Sequence, residues 1–255
     1  METIKRKPFQ GVFNVVKFNW HFYLLAILLC SILLASTLFI SNKFHFIAVF
    51  LCCIIFFTTA ISLIVTYYVY DYSKIYELQF LNKLQIQPNE IIVNINAGFD
   101  EFSFTIANKF KTENLHVFDF YNPEKHTEIS IERARKVSTI YPNTKSIETS
   151  KLPLETNTAD YVFLFFAAHE IRKTEERTVF LTEISRILKP NGKIIILEHL
   201  RDFPNFTAYT IGFFHFLSFK IWKNTFCSAD LIISEESKIT PFLSLFTLQK
   251  NGNPS

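Results

Sequence analysis

Four titratable residues sit at the ends of two apolar runs. Tyr161-Val-Phe-Leu-Phe-Phe-Ala-Ala leads into His169-Glu170, and Ile194-Ile-Ile-Leu leads into Glu198-His199. An imidazole beside a carboxylate is proton-transfer chemistry, because histidine changes charge near neutral pH and its neighbours tune where. Both runs are apolar at successive positions instead of alternate ones. That is the pattern of a strand buried on both faces, as in a parallel sheet covered by helices. In open α/β sheets the ligand lies beyond the carboxyl ends of the strands. These four residues therefore point at a site. His169-Glu170 does not begin a zinc-protease motif, since no second histidine follows at the needed spacing.

The elements that must position them read as follows. A charged helical run separates the two strands, and Leu188-Lys189-Pro190-Asn191-Gly192-Lys193 makes a tight turn. Upstream, the pattern predicts strands over 91–96, 115–120 and 145–148, with helices over 101–110 and 128–137. Downstream come an aromatic helical stretch over 203–223 and two strands, 231–235 and 241–248, joined by a polar turn as an antiparallel pair. Strand and helix alternate, which predicts an α/β fold: a doubly wound, mostly parallel, seven-stranded sheet of Rossmann-like type with its last strand antiparallel.

A different kind of chain precedes it. Residues 21–40 and 46–70 are apolar and uncharged, and each reaches the ~20 residues needed to span hydrocarbon as a helix. The connection at 41–45 is short, so the pair predicts a transmembrane α-hairpin. No small-residue cleavage site follows the first run, which argues against a secretory signal. Lys5, Arg6, Lys7 and Lys17 precede the first run, whereas the loop offers only Lys43. The positive-inside rule then puts the N-terminus and everything after Asp71 in the cytosol, as an integral protein of the inner or cytoplasmic membrane. Trp20, Tyr23, Tyr67, Tyr68 and Tyr70 fall where interfacial aromatic belts form. No ionisable residue lies mid-span, so no transport path is expected. The organisation reads as a basic segment over 1–20, the hairpin over 21–70, a linker helix over 71–88 and a folded domain over 89–255.

Composition narrows the partners. The net charge is only +3 and no basic stripe occurs, which gives no case for nucleic acid. Cys30, Cys52, Cys53 and Cys227 lack metal-ligand spacing, so neither a disulfide framework nor a metal site is expected.

The order of elements, with Leu188-Lys189-Pro190-Asn191-Gly192-Lys193 running into Ile194–Leu197, and Leu152-Pro153-Leu154 followed by Thr158-Ala159-Asp160-Tyr161-Val162, resembles the class I S-adenosylmethionine-dependent methyltransferases. The resemblance covers roughly 89–252 and implies S-adenosyl-L-methionine as cofactor. It also implies donor-binding positions at Asn94, Asn96, Gly98, Asp119, Phe120 and Glu148. Asp119 ends the second strand where the family's acid holds the ribose hydroxyls, and a carboxylate is a pure acceptor suited to that task; a helix-cap or turn role is the alternative. Glu148 falls where the family has an acid near the adenine, or is a solvated acid. Phe120 either packs on the adenine or belongs to the core.

The family's glycine-rich loop is reduced here to Asn94-Ile95-Asn96-Ala97-Gly98-Phe99-Asp100, with Gly98 alone surviving. Asn96 tolerates positive φ and is expected to hold the turn. Asp100 is expected to cap the next helix. Asn94 replaces a carboxylate. A dinucleotide oxidoreductase fits less well, because a pyrophosphate needs closer backbone approach than this loop allows.

On the same resemblance, His169, Glu170 and His199 are the catalytic candidates, at the edge where acceptor meets donor. A structural hydrogen-bonding role is the alternative for each histidine. Arg172 and Arg201 pair with nearby acids or bind an anionic group. The 203–223 stretch is a lid, a membrane contact or core. The Asn/Asp-Pro-Pro-Tyr motif of DNA amino-methylating enzymes is replaced by Phe165-Phe166-Ala167-Ala168. The expected function is methylation of an apolar small molecule (a lipid, quinone, phenolic or polyene pigment) at the cytosolic membrane face. The alternative is an inactive relative that tethers another protein, of unspecified identity, to the membrane.

Overall fold

The computed structural model describes residues 6–39 and 41–252. Lys5 and Ile40, which entered the orientation and span arguments above, lie outside the described residues.

Seven strands form one sheet: β1 Ile92–Asn96, β2 Leu115–Asp119, β3 Lys145–Ser146, β4 Ala159–Phe165, β5 Leu188–His199, β6 Leu231–Thr240 and β7 Leu243–Lys250. Their order is β3-β2-β1-β4-β5-β7-β6. β1 to β5 pair in parallel, and β7 runs antiparallel to both neighbours. β7 alone runs against the other six strands.

The successive apolar residues of the buried strands serve two cores. Val162 and Leu164 of β4 and Ile194 and Ile196 of β5 face one side, with Phe180 and Ile184 of α6 (Thr174–Ile187) and Trp222 of α8 (Phe219–Ser228). Phe163, Phe165, Ile195 and Leu197 face the other side, with Phe102 and with Ile106 of α4 (Ser103–Phe110). Residues 162–165 and 194–197 are all buried because helices cover both faces.

Several boundaries differ from the sequence expectation. The Pro190-Asn191-Gly192 turn lies inside β5: Ala159 pairs with Leu188 and Tyr161 with Lys193, so the intervening residues bulge out. Gly192 is required there, since a Cβ would lie 2.7 Å from the Leu188 side chain and 3.0 Å from the Ala159 carbonyl oxygen. β6 extends to Thr240, so the last turn tightens around Pro241-Phe242. The expected linker helix is instead two short 3-10 turns, Ile75–Glu77 and Gln79–Leu81. Ile75, Leu78 and Leu81 are fully buried against the α4 side of the sheet. This stretch therefore packs as part of the domain.

Three helices precede the sheet: α1 Gln10–Phe18, α2 Trp20–Ser36 and α3 Asn42–Tyr67, the last continued by a π-helical turn, Tyr68–Tyr72. α2 buries no residue, and large apolar side chains such as Ile27, Phe56 and Ile64 are more than 60% exposed. Among the described residues one helix, Phe44–Glu77, is long and apolar enough to cross a membrane. α1 and α2, bent by 72°, pass the same test only as a pair. Two full spans were expected, but the first apolar run forms a helix of 17 residues. α1 is anchored to the domain by Asp71, whose carboxylate accepts from the Gly11 and Val12 amides at 2.8 and 3.0 Å.

Candidate functional site

The polar groups gather at the carboxyl ends of β1, β2, β4 and β5 and form two clusters. The first follows β1 and β2. Asn94 is buried, and its amide donates to Ser103 Oγ at 2.8 Å, bracing the start of α4. Asn96 lies within β1, and its Oδ1 accepts from the Gly98 amide at 2.9 Å. The positive φ, +90°, falls on Gly98 and not on Asn96 as expected. The reason is the side-chain bond of Asn96, which closes the turn one residue later. Asp100 caps α4 through Oδ1, accepting from Phe102 and Ser103 at 2.9 and 3.0 Å. Asn96 Nδ2 and Asp100 Oδ2 are buried with no hydrogen-bond partner among the described residues. Burial pushes the Asp100 carboxyl above its ordinary range despite those helix-cap bonds.

Asp119 ends β2. Its Oδ1 accepts from the Tyr121 amide at 2.8 Å, and its Oδ2 pairs with Arg135 Nη1 at 2.6 Å. Arg135 is the last residue of α5 (Ile129–Arg135). Its guanidinium lies over the Tyr121 ring and only 2.8 Å from where a Cβ on Gly98 would stand. Arg135 thus covers the loop and the acid together. Phe120 is buried against Phe180 and His126, which assigns it to the core. Glu148 is exposed, and with Tyr121 and Ser146 it lines an open cavity of about 430 Å³ beside Asp119.

The second cluster follows β4 and β5. A 3-10 turn, Ala168–Glu170, lifts His169 over the end of β5. The His169 amide donates to Glu198 Oε1 at 3.3 Å, and its Nδ1 lies 2.7 Å from Glu198 Oε2. Its Nε2 lies 3.4 Å from Glu170 Oε1. Burial works against charge on this ring, but Glu198 and Glu170 outweigh it and raise His169 to about 10. The ring is a cation at neutral pH and holds no lone pair for a proton. For Glu170, burial alone would raise the carboxyl, yet the His169 contact leaves it below its usual range.

His199 behaves in the opposite way. Burial lowers it to about 4, so it is neutral. Asn205 spends both amide hydrogens on Asp202 and the Phe242 carbonyl, so its Oδ1 must accept from His199 Nδ1 at 3.0 Å. His199 Nε2 then accepts from Tyr70 Oη at 2.8 Å. With both nitrogens committed and the ring stacked on Phe216 at 4.8 Å, His199 links β5, the π-helical turn and α7 (Phe203–Tyr209).

His215, on an aromatic stretch with no motif around it, was not among the residues marked by the sequence. It sits on the 3-10 segment Thr210–His215, its ring 4.9 Å from that of His169 and its Nδ1 3.0 Å from Glu128 Oε2. Arg172 and Arg201 hold this segment by its backbone: Arg172 donates to the His215 carbonyl at 2.7 Å, Arg201 to those of Phe214 and Phe216 at 2.6 and 2.8 Å. Over 203–217 the apolar residues divide. Ala208 and Leu217 are buried, whereas Phe203 and Ile211 are more than 70% exposed beside the apolar helix α3, on which α7 packs.

A family profile described as a methyltransferase domain matches residues 114–196. No curated protein matches the chain. Among solved structures, a geranyl diphosphate C-methyltransferase from Streptomyces coelicolor A3(2) aligns at 10% identity over 70% of this chain and 79% of its own, with a TM-score of 0.50. A protein from Pyrococcus horikoshii OT3 aligns at 16% identity over 68% and 87%, also at 0.50. A SAM-dependent methyltransferase from Aquifex aeolicus aligns at 18% identity over 68% and 88%, at 0.48. At these identities the two alignments at 0.50 establish the fold alone, a Rossmann-like α/β fold shared with a methyltransferase. S-adenosyl-L-methionine is the cofactor that goes with it. The residues present suit that group: an acceptor pair on Asp119, an adjoining cavity, and a loop with an unpaired amide and an unpaired carboxylate oxygen. Arg135, which bridges to Asp119 and lies over the Tyr121 ring, obstructs that acid and would have to move for a ribose to reach it; its side chain is half-exposed.

Proposed function

We propose that this protein is a membrane-anchored methyltransferase that moves a methyl group from S-adenosyl-L-methionine to an apolar small molecule at the cytosolic face. The observation that carries the reading is the pairing of two polar clusters on one edge of a methyltransferase-fold sheet: a partly unsatisfied one at β1 and β2, and one placed by internal ion pairs at β4 and β5. Asp119 would hold the ribose and Glu148 the adenine side, while Asn96 and Asp100 offer their unpaired atoms and Gly98 the open loop. Asn94 braces that loop. When bound, the cofactor supplies an electrophilic methyl group on a sulfonium.

His169 and Glu170 are the residues turned to the acceptor, and His199 supports them from behind. A cationic His169 cannot withdraw a proton, but its charge stabilises an acceptor oxyanion. This favours O-methylation of a phenol or hydroxyl over C-methylation. The exposed apolar faces of α2, α3 and 203–214 support a substrate that reaches the site from lipid. The basic N-terminal flank supports the cytosolic orientation.

The test is titration calorimetry of S-adenosylmethionine and S-adenosylhomocysteine into the full chain in detergent, followed by methyl transfer to phenolic and polyprenyl acceptors. Absence of binding at millimolar cofactor would discard the enzyme reading. It would favour an inactive tether, for which the Arg135 bridge over Asp119 and the amide at Asn94 are the supporting observations.

A further inference from the structure

Two histidines and a carboxylate from distant parts of the chain meet beyond β4. One ligand atom from each of His169, Glu170 and His215 lies within 4.8 Å of the others. Each histidine is also gripped at Nδ1 by a separate carboxylate: Glu198 at 2.7 Å for His169, and Glu128 at 3.0 Å for His215. A carboxylate on Nδ1 orients each ring and keeps the proton on that nitrogen, so a metal ion that displaces the Nε2 proton finds the lone pair aimed at it, as with the outer-shell acids around bound metals. One such pair is an ordinary ion pair. Two pairs whose rings converge on a third carboxylate are the arrangement a metal needs.

We propose that His169 Nε2, His215 Nε2 and the Glu170 carboxylate bind one divalent transition-metal ion, with Glu198 and Glu128 as its outer-shell acids. Two imidazoles and one carboxylate favour zinc, iron or cobalt over magnesium, which prefers oxygen ligands. Metal–nitrogen bonds of ~2.0 Å on a tetrahedral ion set ligand atoms about 3.3 Å apart. His169 Nε2 and Glu170 Oε1 already stand at 3.4 Å. Closure then requires only that His215 approach, on a backbone that Arg172 and Arg201 hold by the carbonyls of residues 214–216. Glu198 and Glu170 are buried, so the ion would be bound among negative groups shielded from water.

Three protein ligands leave at least one coordination position open, the mark of a reactive site in place of a structural one. The donor that fits there is an oxygen atom of the acceptor, a hydroxyl or phenolate. That last assignment rests on the methyltransferase reading, whereas metal binding itself does not.

The experiment is a Co2+ titration of the chelator-stripped full chain in detergent, followed by visible absorption, with Zn2+ as competitor. One equivalent of Co2+ should give the d–d bands of a low-coordinate nitrogen–oxygen site, and Zn2+ should abolish them. His215→Ala and Glu170→Gln should weaken binding by at least ~100-fold, and Glu198→Gln by ~10–100-fold as an outer-shell change. Lys83→Gln, at an exposed lysine that pairs with Glu235 of β6, should bind normally. Thermal melts of the metal-free variants verify folding; should Glu170→Gln fail to fold, His215→Ala, at a partly exposed residue, decides alone. Binding that exceeds one equivalent without d–d bands, or that survives His215→Ala, would overturn the proposal. Co2+ binding without S-adenosylmethionine binding would sink the methyltransferase reading and leave the metal site standing.

Discussion

The two ends of the sheet edge are built to different standards. At β1 and β2 the polar groups are under-satisfied. Asn96 Nδ2 and Asp100 Oδ2 are buried without partners among the described residues, and Asp119 leans on a half-exposed arginine. At β4 and β5 the central groups are engaged: His169 by two carboxylates, His199 at both nitrogens, and the 214–216 backbone by two arginines. An unpaired buried polar atom is costly unless a ligand completes it. The contrast therefore separates an end whose polar groups lack partners until a ligand arrives from one whose side chains are already placed by internal hydrogen bonds and ion pairs.

The comparison can be broken most forcefully at Glu198. Removing it by Glu198→Ala strands a buried imidazolium, and the loss should be about 3–5 kcal/mol of stability, seen as a large fall in melting temperature. A melt unchanged from wild type would mean that the β4–β5 cluster is not pre-organised. At the other end, Asp119→Asn should leave the melt almost unaltered. It should weaken S-adenosylmethionine binding by roughly 10–100-fold in calorimetry, the worth of about 1.5–3 kcal/mol for charged hydrogen bonds. Equal effects of both substitutions on stability would erase the distinction.

His199 supplies a pH signature. Its folded value, about 4, lies below the ordinary 6.5, so the unfolded chain takes up a proton first as pH falls. The contribution is intact above pH 6.5 and lost progressively from 6.5 towards 4. Between pH 6.5 and 5 wild type should lose on the order of 2 kcal/mol that His199→Gln does not lose, measured as the difference between their melting curves. His169, raised in the fold, contributes fully below its ordinary 6.5, and since both proteins carry it its contribution cancels in that difference. The smallest effect is expected at Arg135→Ala. Its bridge to Asp119 is partly exposed and contributes about 1 kcal/mol or less, so cofactor affinity should rise only a few-fold. A decrease would show that Arg135 assists binding instead of covering the site.

Much of the fold was readable because burial leaves a strong trace in a chain. Continuous apolar runs marked the strands through 161–165 and 194–197, covered on both sides, although the first strand ends at Phe165, short of the run's end at Ala168, and Leu188 to Lys193 had to turn. Asp100 announced itself as a cap by standing just ahead of a helical pattern, and both cap bonds are present. Asn96 misled, because tolerance of positive φ says nothing about which residue will carry it once a side-chain bond closes the turn. For Phe120 the sequence left two roles open, because an aromatic at a strand end looks alike whether it meets a ligand or Phe180; the structure buries it against Phe180. The 71–88 stretch read as a helical linker; its Ile75, Leu78 and Leu81 are buried in the domain, and the tight turns that bury them break the helix.

The sequence by itself determined the sheet, the apolar N-terminal helices and the strand ends at which chemistry would gather, since each is a matter of local pattern and burial. Which groups act on one another was decided only by tertiary structure. Glu198 and Glu170 make His169 a cation, whereas burial with Tyr70 and Asn205 keeps His199 neutral, although the two histidines end neighbouring strands. His215 and Glu128 join the cluster from distant segments. A proton's affinity depends on charges and solvent within a few ångströms in space, and spacing along the chain does not specify those.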